Sequence, residues 1–193
     1  MASGSATQVG TPRPLRADAS RNRARVIEAA RATFAARGSA ATVEEIAKAA
    51  DVGVGTLYRH FPRRIDLVEA VYLEDVDGLV ALADELSAGS DPWASLASWC
   101  GGFVLYAQVK RTFLTELHEA FEKNPGLALA SRERLAEAAG QLLRRAQAAG
   151  AARPDIDQAD LMQLVGGMCM ARYSSLSQNE RLLSFVLDGI RAR

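Results

Sequence analysis

Residues 42–67 read TVEEIAKAADVGVGTLYRHFPRRIDL, and this stretch decides the fold. It holds two short segments in which apolar residues recur at helical spacing, joined by a turn at Asp51-Val52-Gly53. The second segment carries small and hydrogen-bonding side chains where a helix of the core would carry bulk. This layout predicts a helix-turn-helix, whose second helix is presented to the major groove of DNA.

Local signals place the two helices of this unit. Thr42 and Glu45 have the spacing of a capping box, in which each side chain accepts a hydrogen bond from the other residue's backbone N–H. The second helix is expected from about Val54 to Phe61, with Leu57 and Phe61, four residues apart, facing inward. Pro62 ends that helix and can begin the next one.

The flanking sequence predicts an all-α chain with two domains. Helical periodicity begins at Asp18 and stops before Gly38, so a three-helix DNA-binding domain is expected over residues 18–66 and a second helical domain over residues 67–193. Residues 1–17 are rich in Ser, Gly, Thr and Pro and are expected to form a disordered arm. After a long helix entered at Pro92, the later helices are expected at about residues 110–122, 131–149, 158–176 and 180–191.

Charge is distributed unevenly along the chain, although the net charge is zero. Residues 1–66 contain 11 Lys and Arg against six Asp and Glu, whereas the remainder contains 12 against 17. A basic first third on an acidic body suits a local contact with a polyanion. For this feature alone, chance scatter of surface charge is the alternative.

Composition disfavours several other classes of protein. No apolar run approaches the roughly 20 residues of a membrane span, and the N-terminus lacks the apolar region of a secretory signal, so we expect a cytoplasmic, nucleoid-associated protein. Two scattered histidines, no phosphate-binding glycine loop and no metal-ligand spacing disfavour an enzyme and predict neither cofactor nor metal. Cys100 and Cys169 are expected to be buried, inert thiols, with a regulatory disulfide as the alternative.

Four residues of the second helix, Val54, Gly55, Thr56 and Arg59, are candidates for reading bases. Gly55 lets the backbone approach the bases, and it is informative because a glycine inside a helix costs about 1 kcal/mol relative to alanine. Thr56 offers a hydroxyl and a methyl group to base edges, and Val54 offers an apolar contact. Arg59 can donate to guanine or, failing that, to a phosphate.

Five further residues are candidates for phosphate contacts: Thr42, Tyr58, His60, Arg63 and Arg64. Tyr58 and His60 can reach sideways to the DNA backbone, whereas the two arginines stand at a helix start, where phosphate is attracted. Structural alternatives stay open for three of them. Thr42 can be only a cap, Tyr58 can pad the core, and His60 can be a surface side chain without a role.

With these residues the sequence resembles the TetR family of bacterial transcriptional regulators. The runs TVEEIAKAA at residues 42–50 and GTLYRHF at residues 55–61 are specific, and the resemblance covers about residues 18–72. The C-terminal part resembles the SbtR-like group weakly, in DPWASLASW and FVLYAQVKRTF. The sequence departs from the family's frequent pattern in having Asp51 for glycine, Gly53 for serine and Arg64 for lysine.

The resemblance implies a homodimer that binds a palindromic operator in double-stranded DNA, with two recognition helices about one DNA turn apart. It also implies that residues 67–193 hold both the dimer surface and a cavity for a small-molecule effector. Effector binding would change the spacing of the two DNA-binding units and release the operator, as in a repressor. A regulator without an effector, controlled by a protein partner or by its expression level, is the alternative.

Aromatic and methionine side chains of the C-terminal domain are candidates for lining the cavity, which predicts a partly hydrophobic effector. A polar histidine among them could orient the ligand. For each of these residues, an ordinary place in the core is the alternative. The candidates are Trp99, Phe103, Tyr106, Phe113, Leu117, His118, Phe121, Met168 and Tyr173.

The last two helices are candidates for the dimer interface. Small residues at Gly166-Gly167 and Ala171 allow close approach of helices, while neighbours such as Leu164 supply apolar area. Packing within one subunit is the alternative. The candidates are Leu161, Val165, Gly166, Leu183, Val186, Leu187 and Ile190.

Overall fold

A computed structural model describes residues 14–170 and 175–192, with side chains from residue 18 onward. Within these ranges all regular secondary structure is helical, apart from one isolated β-bridge between Ala152 and Arg191, which confirms the predicted fold class. No helix in the described ranges is long and apolar enough to cross a membrane. The helices are α1 (Pro14–Arg37), a short 3-10 helix (Gly38–Ala40), α2 (Val43–Ala49), α3 (Val54–His60), α4 (Arg64–Ser87), α5 (Pro92–Thr112), α6 (Leu114–Lys123), α7 (Pro125–Ala148), α8 (Gln158–Cys169) and α9 (Leu176–Ile190).

The first helix begins earlier than the sequence predicts. α1 starts at Pro14 rather than Asp18, so residues 14–17 are helical and do not belong to the predicted arm. The remainder of that arm, residues 1–13, lies outside the described residues. Proline is compatible with this start because the first turn of a helix needs no backbone N–H bond.

The start of α4 is also different, because it is set by a cap rather than by proline. Arg63 is extended, with φ −126° and ψ 151°, and its backbone N–H donates to the carboxylate of Asp66 at 2.9 Å. The helix therefore begins at Arg64 and not at Pro62. A proline two residues before a helix restricts the preceding chain without entering the helix.

Boundaries in the C-terminal half differ for similar local reasons. α5 continues to Thr112, and α7 begins at Pro125, where proline occupies the first turn, rather than near residue 131. α9 begins at Leu176 rather than near residue 180, because the Ser175 hydroxyl accepts a hydrogen bond from the backbone N–H of Gln178 at 3.1 Å. α8 ends at Cys169, several residues before the predicted end.

Helix α4 is the central element of the packing. It contacts α1, α5, α6 and α7, and its apolar face is buried from Leu67 near its start to Ala83 near its end. The buried side chains of the N-terminal and C-terminal helices form one continuous apolar cluster. The boundary predicted between residues 66 and 67 therefore lies inside a helix that both parts share.

The end of α1 is seated on the corner between α5 and α6. Phe34 of α1 packs against Phe113 with 5.3 Å between ring centroids, and both side chains are buried. Gly38 ends α1 as predicted and has φ +56°. A Cβ atom at Gly38 would lie 3.0 Å from the backbone carbonyl oxygen of Thr112. The N-terminal helices thus rest directly on the C-terminal bundle, and a glycine permits the close approach.

Both cysteines are free and buried, which confirms the predicted buried thiols. Burial raises the pKa of Cys100 to about 12. Burial also raises the pKa of Cys169, against a smaller opposing effect of Arg111. Because the thiolate is the reactive form, both side chains are poorly reactive at neutral pH.

Gly38→Ala and Gly150→Ala form a matched pair that tests the close packing of the end of α1 against the end of α5. Gly150 also has positive φ, +68°, but a Cβ atom there meets nothing within 4 Å. Both substitutions carry the backbone cost of the left-handed region, about 1–2 kcal/mol. We expect Gly38→Ala to lower the free energy of unfolding further, because its methyl group meets the Thr112 carbonyl. Urea unfolding followed by circular dichroism measures the free energy of unfolding of both variants. Equal decreases in this free energy would contradict the close contact between Gly38 and Thr112.

Candidate nucleic-acid interface

The predicted capping box at the start of α2 is present. The Thr42 hydroxyl oxygen accepts from the backbone N–H of Glu45 at 3.2 Å, and the Glu45 carboxylate accepts from the backbone N–H of Thr42 at 3.0 Å. The pKa of Glu45 is lowered, chiefly by this backbone hydrogen bond, and the neighbouring Arg37 adds to the effect. The Thr42 hydroxyl is exposed and can still donate its proton outward.

The backbone of the turn between α2 and α3 is left-handed at Asp51. Asp51 has φ +50°, in the left-handed region where glycine is favoured and aspartate is tolerated. The Arg25 guanidinium donates to the Asp51 carbonyl at 3.2 Å and to its carboxylate at 3.1 Å. Arg25 therefore holds the turn from α1 and compensates locally for the missing glycine.

One side of α3 is fixed to the core. Leu57 and Phe61 are buried, as predicted, and the carbonyl of Gly53 accepts from the backbone N–H groups of Thr56 at 2.8 Å and Leu57 at 3.1 Å. No side chain caps the helix, because Gly53 has none. The attachment of α3 therefore depends on its apolar face and on its neighbours.

The opposite side of α3 faces away from the protein. Val54 and Tyr58 are 36% and 44% exposed, and Gly55 and Arg59 are also exposed. Positions one, two, five and six of a helix share one side, so these four residues form a single surface. Three of the four predicted base readers lie on it, while Thr56 is half-buried at its edge. Tyr58, predicted to contact phosphate, lies among the base readers.

Gly55 has no structural reason to be glycine. A Cβ atom there would meet no other atom within 4 Å, and its φ is not positive. The protein itself would therefore accept alanine, and helix propensity would favour it. An empty space on an exposed helix surface is what close approach to another molecule requires.

The basic side chains around α3 differ in how firmly they are held. The Arg59 guanidinium makes no hydrogen bond or ion pair with any residue in the described ranges. Arg63 is exposed but donates to the Asp66 carboxylate, with 3.0 Å between Nε and Oδ1. His60 is half-buried, with its ring 6.3 Å from that of Phe61. Arg59 is thus the side chain most ready to bind a new partner.

Arg64 is placed differently from its predicted role. Its guanidinium donates to the carbonyl of Ala41, lies 5.1 Å from the centre of the Phe34 ring, and pairs with Glu116 of α6 at 3.3 Å. The positive charge is thereby turned toward the C-terminal bundle. A phosphate contact from Arg64 stays a prediction, and it would require the guanidinium to leave these partners.

Three basic residues near this surface were absent from the predicted set. Arg23 and Arg25 are exposed on α1, and Lys48 is exposed at the end of α2. The Arg23 guanidinium lies 5.5 Å from the centre of the Phe61 ring, beside α3. The excess of arginine in the first helix was visible in the sequence, but its orientation depends on how α1 crosses α3.

The structure places the predicted ligand-cavity residues in several different surroundings. Trp99, Phe103 and Leu117 are buried, and the Trp99 indole N–H donates to the Leu79 carbonyl at 2.9 Å. Phe113 belongs to the seat of α1. For these four residues the structure favours the core alternative.

The other predicted cavity residues are scattered. His118 is exposed on α6 beside Glu122, and Met168 lines a surface groove between α8 and α9. Phe121 packs edge-on against Tyr72 with 5.2 Å between centroids, next to Tyr106. Tyr173 lies outside the described residues. Trp99, Phe103 and Tyr106 form a run of ring contacts along α5, and Tyr106 and Phe121 both lie beside Tyr72 near the corner of α4, α5 and α6.

The predicted dimer residues divide into an inner and an outer set. Leu161, Val165, Leu183 and Ile190 are buried within the protomer. Gly166, Val186 and Leu187 are partly exposed, and Ala171 lies outside the described residues. Around them, Leu164, Met170, Leu176 and Phe185 are exposed, and Met168, Leu182 and Val186 are half-buried.

Five of these residues, Leu164, Met168, Leu182, Phe185 and Val186, line an open groove of about 400 Å³ between α8 and α9. Phe185 is 68% exposed at its edge, and Leu164 is 44% exposed on the facing helix. Monomeric proteins rarely leave such a cluster of large apolar side chains in water. Apolar spacing on α9 does not distinguish the side packed inside the protomer, with Leu183 and Ile190, from the exposed side with Phe185.

Two family models match the chain. Residues 26–71 match the model described as bacterial regulatory proteins, tetR family, and residues 91–192 match the model described as the C-terminal domain of SbtR-like transcriptional regulators. Together they cover the surface of α3 and the helices beyond α4. Among curated proteins, the HTH-type transcriptional regulator UidR of Escherichia coli is 26% identical over 155 residues, which are 78% of this chain and 79% of UidR.

Solved structures agree with these matches. A TetR transcriptional regulator from Streptomyces coelicolor is 34% identical and superimposes with a TM-score of 0.79, over 88% of this chain and 98% of that one. A TetR regulatory protein from Mycobacterium vanbaalenii is 36% identical with a TM-score of 0.76, over 93% of this chain and 100% of that one. The similarity therefore extends over both parts of the fold.

Gly55→Ala should change stability and DNA binding in opposite directions. Alanine should stabilise α3 by up to about 1 kcal/mol, while its methyl group should hold the helix away from the bases and cost about tenfold or more in affinity. Gly78→Ala is the matched control, because Gly78 is also an exposed helical glycine with nothing near its Cβ position. Thermal unfolding and fluorescence anisotropy with DNA measure the two effects. If Gly55→Ala binds DNA with unchanged affinity, Gly55 is not needed for close approach of α3 to the bases.

Proposed function

This chain belongs to the TetR family of bacterial transcriptional regulators, and we propose that it is a repressor that binds a palindromic operator as a homodimer and is released by a small molecule. The observation that carries the proposal is the exposed surface of α3, formed by Val54, Gly55, Tyr58 and Arg59. It combines a gap for close approach with an arginine that has no partner in the described ranges. The proposal includes no catalytic activity, cofactor or metal.

Base recognition would use the chemistry of this surface. An unpaired guanidinium can donate two hydrogen bonds to the O6 and N7 atoms of guanine, which is the commonest specific contact in the major groove. Val54 can pack against a thymine methyl group, and Thr56 at the edge can add a hydroxyl contact. Gly55 lets the helix lie deep enough for these short side chains to reach the bases.

Phosphate contacts would hold this helix in register. Thr42 has an outward hydroxyl at the start of α2, and Arg63 is exposed at the start of α4, so the two lie on either side of α3 in the chain. Tyr58 and His60 can supply a phenol and an imidazole from α3 itself. The exposed Arg23, Arg25 and Lys48 add positive charge along the same edge.

A homodimer would cover the apolar groove of α8 and α9. In a two-fold dimer the same surface of each subunit meets its copy, so Phe185 of one subunit would pack near Leu164 of the partner subunit. Four helices would then form the interface. Such a dimer would present two α3 helices to successive major grooves about 34 Å apart.

Release by an effector would use the contacts between the two parts of the chain. The effector must bind the released conformation more tightly than the DNA-bound one, with a coupling of about 1–3 kcal/mol. The Arg64–Glu116 pair and the Phe34–Phe113 contact join the DNA-binding helices to α6 and its entrance. Movement of α6 would therefore be transmitted to the start of α4, next to α3.

A regulator without a small-molecule effector is the second candidate function. It is favoured by the close packing of Trp99, Phe113 and Leu117, which were expected to line a cavity. A thermal-shift screen with hydrophobic metabolites separates the two, because a ligand that binds only the folded protein raises its melting temperature. No shift from any compound would favour control by a protein partner or by expression level.

Operator binding can be tested by selecting sites from random DNA and titrating the selected site. We expect a palindrome with steeply salt-dependent affinity. Arg59→Ala should lose discrimination between the selected and altered bases by about 1–3 kcal/mol, whereas Arg63→Ala should weaken all sequences alike and lower the salt slope by about one. Arg144→Ala, an exposed arginine on α7, is the control and should change neither. Selection of no palindrome would refute the proposed function.

Phe185→Glu tests the proposed dimer. A carboxylate placed in the apolar groove would lose its hydration on association, so the variant should be monomeric in analytical ultracentrifugation and should bind the operator far more weakly. Leu129→Glu is matched, because Leu129 is 59% exposed on α7, away from α8 and α9. It should remain dimeric. A dimeric Phe185→Glu variant would show that the interface lies elsewhere.

A further inference from the structure

Lys110 occupies an unusual position at the corner of α4, α5 and α6. It is half-buried in the last turn of α5. Its ammonium nitrogen lies 5.3 Å from the ring centre of Tyr72, 5.6 Å from that of Phe121 and 5.8 Å from that of Tyr106. Because each ring belongs to a different helix, the folded chain places a positive charge among three aromatic faces.

In the described part of the chain, no acidic side chain pairs with this charge. Within residues 18–170 and 175–192, no carboxylate lies within ion-pair distance of the Lys110 ammonium. Burial strongly raises the pKa of Tyr106, so its hydroxyl is neutral and cannot act as the counter-ion. The carboxylate of Asp75 is paired with Arg31, at 2.5 Å between Oδ1 and Nε. Neither group therefore serves as the counter-ion of Lys110.

A second cation makes the environment of Lys110 more positive. The pKa of Lys110 is lowered, first by burial and then by the charge of Arg132 on α7. The aromatic faces and the C-terminal end of α5 favour a cation here, but a helix end supplies only about half of a unit charge. Buried charges in proteins are normally paired with an opposite charge. The position therefore favours an anion that the protein itself does not supply.

We propose that Lys110 binds the anionic group of the effector, and that the effector is a small organic carboxylate with an apolar body. This inference rests on the proposed release of the operator by a small molecule. One ammonium group matches one negative charge, and the walls formed by Tyr72, Tyr106 and Phe121 suit an apolar or aromatic body rather than a strongly hydrated ion. The corner also contains two of the predicted cavity residues, Tyr106 and Phe121.

The site can be tested through Lys110 itself, independently of DNA. Acetate, hexanoate, benzoate and phenylacetate are each compared with the matching neutral amide. The readout is the rate at which acetic anhydride modifies Lys110 in the full-length protein, followed by mass spectrometry. At least one carboxylate should slow the modification saturably, and its amide should not. If no carboxylate slows the modification of Lys110 more than its amide does, the inference is wrong.

Variants then assign the binding to the ammonium group. Lys110→Met keeps the length of the side chain and should weaken calorimetric binding of the active carboxylate about ten- to a hundredfold, whereas Lys110→Arg should retain most of it. Lys123→Met, which removes an exposed lysine on α6, is the control and should bind normally. Circular dichroism confirms that each variant is folded. Unchanged binding by a folded Lys110→Met variant would overturn the inference.

The result can be separated from the proposed function. If a carboxylate binds through Lys110 and weakens operator binding, both are supported. If it binds through Lys110 and leaves operator affinity unchanged, the anion site is supported and release by this ligand is refuted. If operator binding is lost with a neutral compound that also binds Lys110→Met, the proposed function stands and the carboxylate inference is wrong.

Discussion

The contact between the start of α4 and the α5–α6 corner is the constraint on which the rest of the structure depends. Arg64 joins three elements there: it bonds to the carbonyl before α2, covers the ring of Phe34 in α1, and pairs with Glu116 in α6. The second carboxylate oxygen of Glu116 is buried without a hydrogen-bond partner in the described ranges. Loss of Arg64 would therefore leave a poorly solvated charge, which makes this contact costly to break.

This contact links the two surfaces that carry function. α4 begins at Arg64, beside the turn that follows α3, and continues past Tyr72, which forms one wall around Lys110. α6 contributes Glu116 to the contact with Arg64 and Phe121 to the aromatic surroundings of Lys110. In the proposed release of the operator, a ligand that displaces Phe121 would move α6 and so disturb the Arg64 contact. Helices α4 and α6 alone would then connect ligand binding at Lys110 to the start of α4 beside α3.

The N-terminal unit could be predicted closely because its signals are local. The Thr42–Glu45 capping box and the inward position of Leu57 follow from neighbours within four residues, and the structure has both. The inward turn of Arg64 could not be predicted in this way, because Glu116 is 52 residues away in the chain. A basic residue at a helix start is compatible with phosphate and with a distant carboxylate alike.

Prediction was less successful in the C-terminal bundle, where function depends on how helices face one another. Apolar spacing identified α8 and α9 as apolar helices, but Leu161 and Leu183 lie inside the protomer while Phe185 faces outward. A missed cap at Ser175 shifted the expected start of α9. The aromatic surroundings of Lys110 come from three helices, so no periodic pattern in one segment could reveal them.

Native-state hydrogen exchange of the intact protein tests the central claim, that the DNA-binding helices are held to the bundle as one cooperative body. Amide exchange is followed across low concentrations of urea, and opening free energies are compared between α1–α3 and α4–α7. We expect the slowest amides of both groups to exchange through the same global unfolding, with equal free energies and equal dependence on urea. A separate opening of α1–α3, at clearly lower free energy, would contradict a rigid connection through Arg64.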